Sequence, residues 1–357
     1  MNNNLLINLS FLLTKPTGTT TYALNLLPRL QPLEPILLTS QSFPDDNCYQ
    51  TPHNLTSEQG LKGHLNRLLW TQFQLPKIYQ KLKSQLLFSP IPEAPLYTNC
   101  RFIVMSHDMI PLRFPKRFSP LTPYHLYYVP QVLNQAQHII CNSHATAKDL
   151  VDFFHIPSNK ITPIPLAYDS SHFQFLNLPT RNYFLYIGRQ DPYKNLQRLI
   201  TAFSALPNRN DYELWLAGPY DKRYSPLLEI QTQELGINHL VKFLNYVPYD
   251  ELPIIINQAI ALVFPTLWEG FGLPVLEAMA CGTPVITSNI SSLPEVAGDG
   301  AILINPYHIE EITAAMKMII NDSETREQLS EKGLKRVNQF SWEKTGLATV
   351  EILKQYL

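Results

Sequence analysis

The chain has 357 residues, 45% of them hydrophobic, with 28 Lys+Arg against 29 Asp+Glu and a formal net charge of −1. That length and apolar content exclude a disordered chain and predict two domains, each with its own core. Before Asn177 there are 13 Lys+Arg against 9 Asp+Glu and from it onward 15 against 20, so neither half has the basic excess of a nucleic-acid binder, and an acidic partner would favour the first half.

Leu5 to Leu13 is an apolar run without a positive leader or a small-residue cleavage site, which predicts a first strand. Thr14 to Thr21 predicts a loop and Tyr22 to Leu30 a helix. Gly18 in that loop would let backbone approach a phosphate or a sugar; an ordinary strand–helix turn is the other reading. Ile36 to Thr39 reads as a strand, followed by a connection rich in Pro, Asp and Asn up to Pro52. From Gln59 to Pro92 no acidic residue occurs, while Lys62, Arg67, Lys77, Lys81 and Lys83 alternate with Leu68, Leu69, Trp70, Phe73, Leu75 and Ile78. The pattern is helical and basic: a peripheral membrane contact or an acidic acceptor surface is one reading, and two amphipathic helices with solvated basic faces are the other.

Arg101 to Ser106 predicts a strand that ends at His107-Asp108. A helix over Tyr124 to Ala136, a strand over His138 to Asn142 and a helix capped by Ser143 follow, and residues to Asp169 complete a first sheet. The predicted linker spans Phe173 to Arg181. Beyond it, Tyr183 to Ile187 runs into Gly188-Arg-Gln-Asp-Pro-Tyr-Lys-Asn195 and a helix from Leu196, with Asn195 placed as its cap. Arg189 and Lys194 thus share one loop at a helix N-terminus, where fixed positive charge and free amides suit a diphosphate. Tyr212 to Ala217 and Val241 to Val247 read as further strands.

The densest stretch is Ala259 to Val285: a buried strand to Phe264, a loop, a helix with Pro274 in its first turn and Gly282 at its end, and a new strand from Pro284. The loop lies at the carboxyl end of a strand, where open α/β sheets bind ligands. Glu269 stands in it ahead of Gly270, Phe271 and Gly272, and Glu277 lies one turn inside the helix. Amides and helix dipole suit the charged part of a polyhydroxylated anion, and the carboxylates suit its hydroxyl groups; as first-turn residues the two glutamates would instead simply complement the dipole. Ala301 to Ile304 is a last strand, and Trp342 to Tyr356 a last helix. Cys48, Cys100, Cys141 and Cys281 form no Cys-x-x-Cys pair, and no stretch reaches the roughly 18 apolar residues of a membrane span. We expect a cytoplasmic chain, at most peripheral at the inner face of a membrane.

Glu269 and Glu277, with Glu-Gly-Phe-Gly-Leu-Pro-Val-Leu-Glu-Ala-Met-Ala-Cys-Gly-Thr-Pro-Val from Glu269 to Val285, resemble the donor site of family 4 glycosyltransferases. The resemblance implies a GT-B architecture: an α/β fold of two Rossmann-like domains with parallel sheets facing across a cleft. Their expected extents are 1–176 on the acceptor side and 177–340 on the donor side, with 341–357 a helix packing back toward the first domain. It implies a retaining transfer of a hexosyl group, mannose from GDP-mannose as first choice, from a nucleotide diphosphate sugar to an acceptor hydroxyl in glycan, polysaccharide or glycolipid synthesis. Arg189 and Lys194 would hold the diphosphate, His107 would lie beside the donor sugar, and Glu269 would accept from sugar hydroxyls. Glu277 would meet the ribose; Gly18, Phe271, Gly272 and Leu273 would line the donor. The resemblance departs at Gly18, where the family often has two glycines, at Leu166-Ala-Tyr-Asp169, and at Asn245-Tyr246. No Asp-x-Asp motif suggests a required metal, the Arg/Lys pair taking that charge duty, and no other cofactor is expected. The competing readings are a nucleotide-sugar epimerase or phosphorylase on the same fold, and a non-catalytic nucleotide-sugar-binding subunit.

Overall fold

A computed structural model describes residues 5–14, 18–43, 47–115 and 121–357. They form two compact units, one of the described residues up to Leu166 with Trp342–Leu357, the other Ala167–Ser341.

The first unit holds a seven-stranded sheet: β1 (Leu5–Asn8), β2 (Ile36–Thr39), β3 (Asn47–Gln50), β4 (Leu86–Ser89), β5 (Phe102–Ser106), β6 (His138–Cys141) and β7 (Ile161–Pro163), in the order β3-β2-β1-β4-β5-β6-β7. Every pair is parallel, with Ile7 opposite Leu37 on one side and Phe88 on the other. Burial on both faces explains why β1, β4, β5 and β6 read as continuous apolar runs rather than alternating ones.

Several expectations need correction here. The strand expected to Leu13 stops at Asn8, because the Asn8 Oδ1 accepts both the Ser10 amide (3.2 Å) and the Ser10 hydroxyl (2.7 Å) in a side-chain turn. The expected loop over Thr14 to Thr21 is shorter, since the next helix is Gly18–Leu30; Lys15, Pro16 and Thr17 lie outside the described residues. The stretch 59–92 is not helical throughout: after helices Gly60–Phe73 and Leu75–Lys81 it contains β4. The expected helix over Tyr124 to Ala136 also begins with a π turn, Tyr124–Tyr128, before Val129–Gln135.

The helix Trp342–Tyr356 belongs to this unit. The Thr345 hydroxyl donates to the Pro165 carbonyl (2.8 Å), Tyr356 Oη lies 3.1 Å from His138 Nδ1, and the Trp342 ring tilts against Tyr22. A Cβ at Gly346 would fall 2.3 Å from Arg29 Cβ, so the two helices meet at closest approach where there is no side chain.

The second unit repeats the plan with β8 (Tyr183–Ile187), β9 (Glu213–Ala217), β10 (Val241–Asn245), β11 (Ala261–Phe264), β12 (Val285–Ser288) and β13 (Ala301–Ile304). Their order is β10-β9-β8-β11-β12-β13, again wholly parallel. Both sheets therefore wind outward from their first strand in each direction, and the strand order reverses between β1 and β4 and between β8 and β11. Residues 167–176, upstream of and into the expected linker, are tied to this unit. The Leu176 amide donates to Asn257 Oδ1 (2.7 Å), Asn257 Nδ2 donates to the Gln174 carbonyl (2.9 Å), and His172 stacks on Tyr249 at 3.9 Å. Among the described residues no helix is long and apolar enough to cross a membrane.

Candidate active site

The loops leaving β8 and β11 emerge side by side where the second sheet's order reverses. The first is built tightly. Gly188 has φ +149°, its amide donates to the Ala217 carbonyl (2.9 Å), and the Tyr186 hydroxyl donates to the Arg189 carbonyl (2.6 Å). A Cβ at Gly218 would lie 1.8 Å from the Gly188 carbonyl oxygen, so both strand ends need glycine to come this close. The Arg189 side chain leaves the loop toward solvent, 63% exposed, with its Nε held 2.9 Å from Asp191, which is buried. A single turn, Pro192–Lys194, then brings Lys194 inward.

Lys194 Nζ lies 2.6 Å from Glu269 Oε1, with both side chains only 11% exposed. The ammonium also sits over the rings of Tyr193 (5.2 Å) and Phe264 (5.4 Å). This ion pair joins the two loops, and no motif spacing announces it. It is built where desolvation makes each charge costly without the other.

Asn195 stands at the N-cap of the helix Leu196–Ser204, but its side chain does not cap. The residue is left-handed (φ 64°), and its Nδ2 donates to the carbonyls of Pro265 (3.0 Å) and Pro306 (2.7 Å), while Oδ1 accepts from Arg198 (2.9 Å). The expected cap is thus a clamp holding the β11 loop. The Leu267 amide donates to the Tyr193 carbonyl (2.7 Å), and the Ser292 hydroxyl lies within reach of the carbonyls of Glu269 (3.1 Å) and Phe271 (2.8 Å).

The glycine-rich part divides its duties. Phe271 turns its ring inward, edge-on to Phe340 at 6.0 Å, so only its backbone is left for a ligand. Gly272 has φ +104° and a Cβ there would strike Leu293 at 2.6 Å. It occupies the N-cap of the helix Leu273–Ala280 and brings no side-chain acceptor to the first amides, where half-buried Leu273 begins the turn. Glu277 is half-buried in that helix and its carboxyl group makes no hydrogen bond or ion pair among the described residues; burial pushes that carboxyl up from 4.5 to about 7. The two glutamates therefore have different surroundings: Glu269 faces Lys194, and Glu277 lies within electrostatic reach of Tyr249. Among the described residues no group of three His, Cys, Asp or Glu could hold a metal ion.

Gly18 and His107 belong to the first unit. Gly18 is exposed at the start of its helix, and a Cβ placed there would meet nothing within 4 Å among the described residues. One turn later on the same helix Tyr22 packs edge-on to His107 at 5.0 Å. His107 Nε2 lies 2.9 Å from the Pro90 carbonyl, which fixes the proton on Nε2 and leaves Nδ1 as the acceptor. Burial lowers its pKa to about 4, so the ring is neutral. His107 follows β5 and Pro90 follows β4, which places both at the carboxyl ends of neighbouring strands.

Two families match the chain: Glycosyltransferase Family 4 over residues 16–172 and Glycosyl transferases group 1 over residues 168–336. The sequence is similar to the O-antigen chain mannosyltransferase B of Escherichia coli, 34% identical over 238 residues, which is 62% of this chain and 61% of that protein. It is also similar to the O-antigen chain mannosyltransferase RfbU of Salmonella typhimurium, 27% identical over 327 residues, 88% of this chain and 90% of that protein. The match thus spans less than two thirds of the Escherichia coli relative's length. A solved sucrose-phosphate synthase from Thermosynechococcus elongatus has a TM-score of 0.76 over 99% of this chain and 98% of its own at 19% identity, a likeness of fold.

Proposed function

This chain belongs to the family 4 glycosyltransferases of GT-B fold, and from that premise we propose that it moves a hexosyl group from a nucleotide diphosphate sugar to an acceptor hydroxyl with retention. The observation that carries the reading is the buried Lys194–Glu269 pair beside Arg189, on adjacent loops at the reversal of the second sheet. It gives a diphosphate a guanidinium, an ammonium and loop amides, and gives the sugar a carboxylate already held in place.

In the proposed reaction the bond between the anomeric carbon and the diphosphate oxygen breaks as the acceptor oxygen attacks from the same face. The acceptor proton passes to the departing phosphate oxygen, so no side-chain base is required. Arg189 and Lys194 stabilise the charge that builds on the leaving group, a contribution of about 3 kcal/mol per well-placed donor. Lys194 would then be shared between phosphate and Glu269, and Glu269 would turn its other oxygen to sugar hydroxyls. With two cations in that duty, we expect transfer to need no metal ion. Similarity to O-antigen mannosyltransferases supports GDP-mannose as the first donor to try and a glycan as acceptor.

The test is a panel of GDP- and UDP-sugars, read by thermal shift and by nucleotide release, with Arg189→Ala and Glu277→Gln as controls. Lys194→Ala is the wrong control for a melting assay, because it leaves Glu269 charged and uncompensated. Stabilisation by one donor, weakened at least tenfold in Kd by either control, supports the site. Stabilisation by a donor with no nucleotide release would turn the reading toward the non-catalytic nucleotide-sugar-binding subunit, and absence of any response to the whole panel would overturn the transferase reading.

A further inference from the structure

Three neighbouring strands of the second sheet, β10, β9 and β8, carry a groove at their amino ends that the proposed reaction does not use. In β9, Leu214 and Leu216 are buried, whereas Glu213 and Trp215 are only half-buried. A parallel strand covered by helices on both faces reads as apolar throughout, so one face of β9 is left open here. The groove over it has a volume of about 380 Å³, within the range of small-ligand sites.

Its floor is fixed from within. Trp215 stacks on buried Tyr183, with ring centroids 3.8 Å apart and planes 5° apart, and the Tyr183 hydroxyl donates to the Ile255 carbonyl (2.6 Å). Trp215 Nε1 donates to Glu213 Oε2 (2.7 Å), and the other oxygen, Oε1, lies 2.7 Å from Nζ of Lys242, which stands opposite Trp215 on β10. The rim is looser. Asn182 precedes β8, and Asn210 and Asp211 lie in the single turn Arg209–Asp211 ahead of β9; all three are exposed, and their side chains make no hydrogen bond or ion pair among the described residues.

The lining selects against charge. Arg181 and Lys242 are matched by Asp211 and Glu213, so the groove favours neither an anion nor a cation. What it offers is amides and carboxylates for hydroxyl groups, beside the ring surfaces of Trp215 and half-buried Tyr212. A pyranose, with a C–H face and a rim of hydroxyls, complements that mixture. We propose that this groove binds an uncharged oligosaccharide. It is separate from the donor site, because the length of β8, about 15 Å, lies between it and the loop of Arg189. Its bearing on catalysis rests on the proposed transfer to a glycan: a distal part of the acceptor held here would raise the effective concentration of the growing end.

The experiment is titration of the full chain with neutral tetrasaccharides of mannose, glucose and galactose, and with tetragalacturonate as the anionic comparison, read by calorimetry and by tryptophan emission. At least one neutral tetrasaccharide is expected to bind, to bind better than tetragalacturonate, and to change an emission signal that Trp215→Phe removes. Asn210→Ala/Asp211→Ala, confined to an exposed turn, should weaken that binding about tenfold with the melting temperature unchanged. The same variant should keep the Kd for GDP or UDP and the release of nucleotide from donor, which separates failure here from failure of the transferase reading. No binding of any neutral tetrasaccharide at up to about 10 mM would overturn the proposal. So would preference for tetragalacturonate, binding that survives intact in both variants, or binding competed away by GDP or UDP.

Discussion

At Glu277 a carboxyl group is half-buried with no donor among the described residues to meet it, and desolvation pushes it up from 4.5 to about 7. A folded value above the unfolded one means that the native state holds the proton more tightly. Its contribution to stability is therefore complete below about pH 4.5 and is lost as pH rises through about 7. A ribose hydroxyl donating to this group would favour the ionised form and reverse the balance. Nucleotide affinity should then rise with pH from about 5 to 7 and binding should release a proton, which calorimetry in buffers of different ionisation heat would detect. Glu277→Gln should abolish the proton release and gain stability relative to the unmodified chain above pH 7. An affinity for GDP or UDP that is flat with pH in the unmodified chain would place the ribose away from Glu277.

At the scale of elements, Gly18 and Gly272 look alike in a motif and differ in the fold. Gly272 holds φ +104° with Leu293 against it, so Gly272→Ala should cost roughly 2 to 4 kcal/mol of stability through strain and collision. Gly18 opens a helix with none of the described residues within 4 Å of where its Cβ would go, so Gly18→Ala should leave urea stability unchanged or slightly raised, alanine being the better helix former. If backbone at Gly18 approaches a ligand, turnover should still fall in that variant; unchanged turnover would make it an ordinary helix start. The same contrast explains what the sequence made legible. The six strands of the second unit each carry an apolar run bounded by Gly, Pro or Asn, and all were readable. Asn47–Gln50 was not, because an edge strand pairing through its backbone needs no apolar face, nor was Leu86–Ser89, whose leucines continue a helical pattern and include no β-branched residue. Arg189, Lys194, Glu269 and Glu277 were legible as residue types at loop and helix positions. The Lys194–Glu269 pair was not, since its partners are 75 residues apart and meet only because β8 and β11 are neighbours in the sheet. Asn195 misled for the same reason: its side chain answers carbonyls at Pro265 and Pro306 that no local window contains.

For the whole molecule, the chain leaves its first unit after Leu166, builds the second, and returns with the helix from Trp342, so the second unit is a continuous insert in the first. Arg189, Lys194, Glu269, Gly272 and Glu277 all belong to the insert; Gly18 and His107 belong to the unit that encloses it in sequence. If the insert alone binds the nucleotide and His107 serves the sugar, affinity and turnover should separate by unit. His107→Ala is expected to leave the Kd for free GDP or UDP within about twofold while lowering kcat about a hundredfold. The loss should carry no new pH dependence. A ring held neutral with its proton toward Pro90, and a pKa lowered to about 4, gains its charge only below the working range, so it adds no inflection between about pH 5 and 9. Melting curves would separate this from damage to the Tyr22 packing. A fall in nucleotide affinity equal to the fall in kcat, in a variant that melts normally, would mean that the first unit takes part in holding the nucleotide and that the division of labour by unit is wrong.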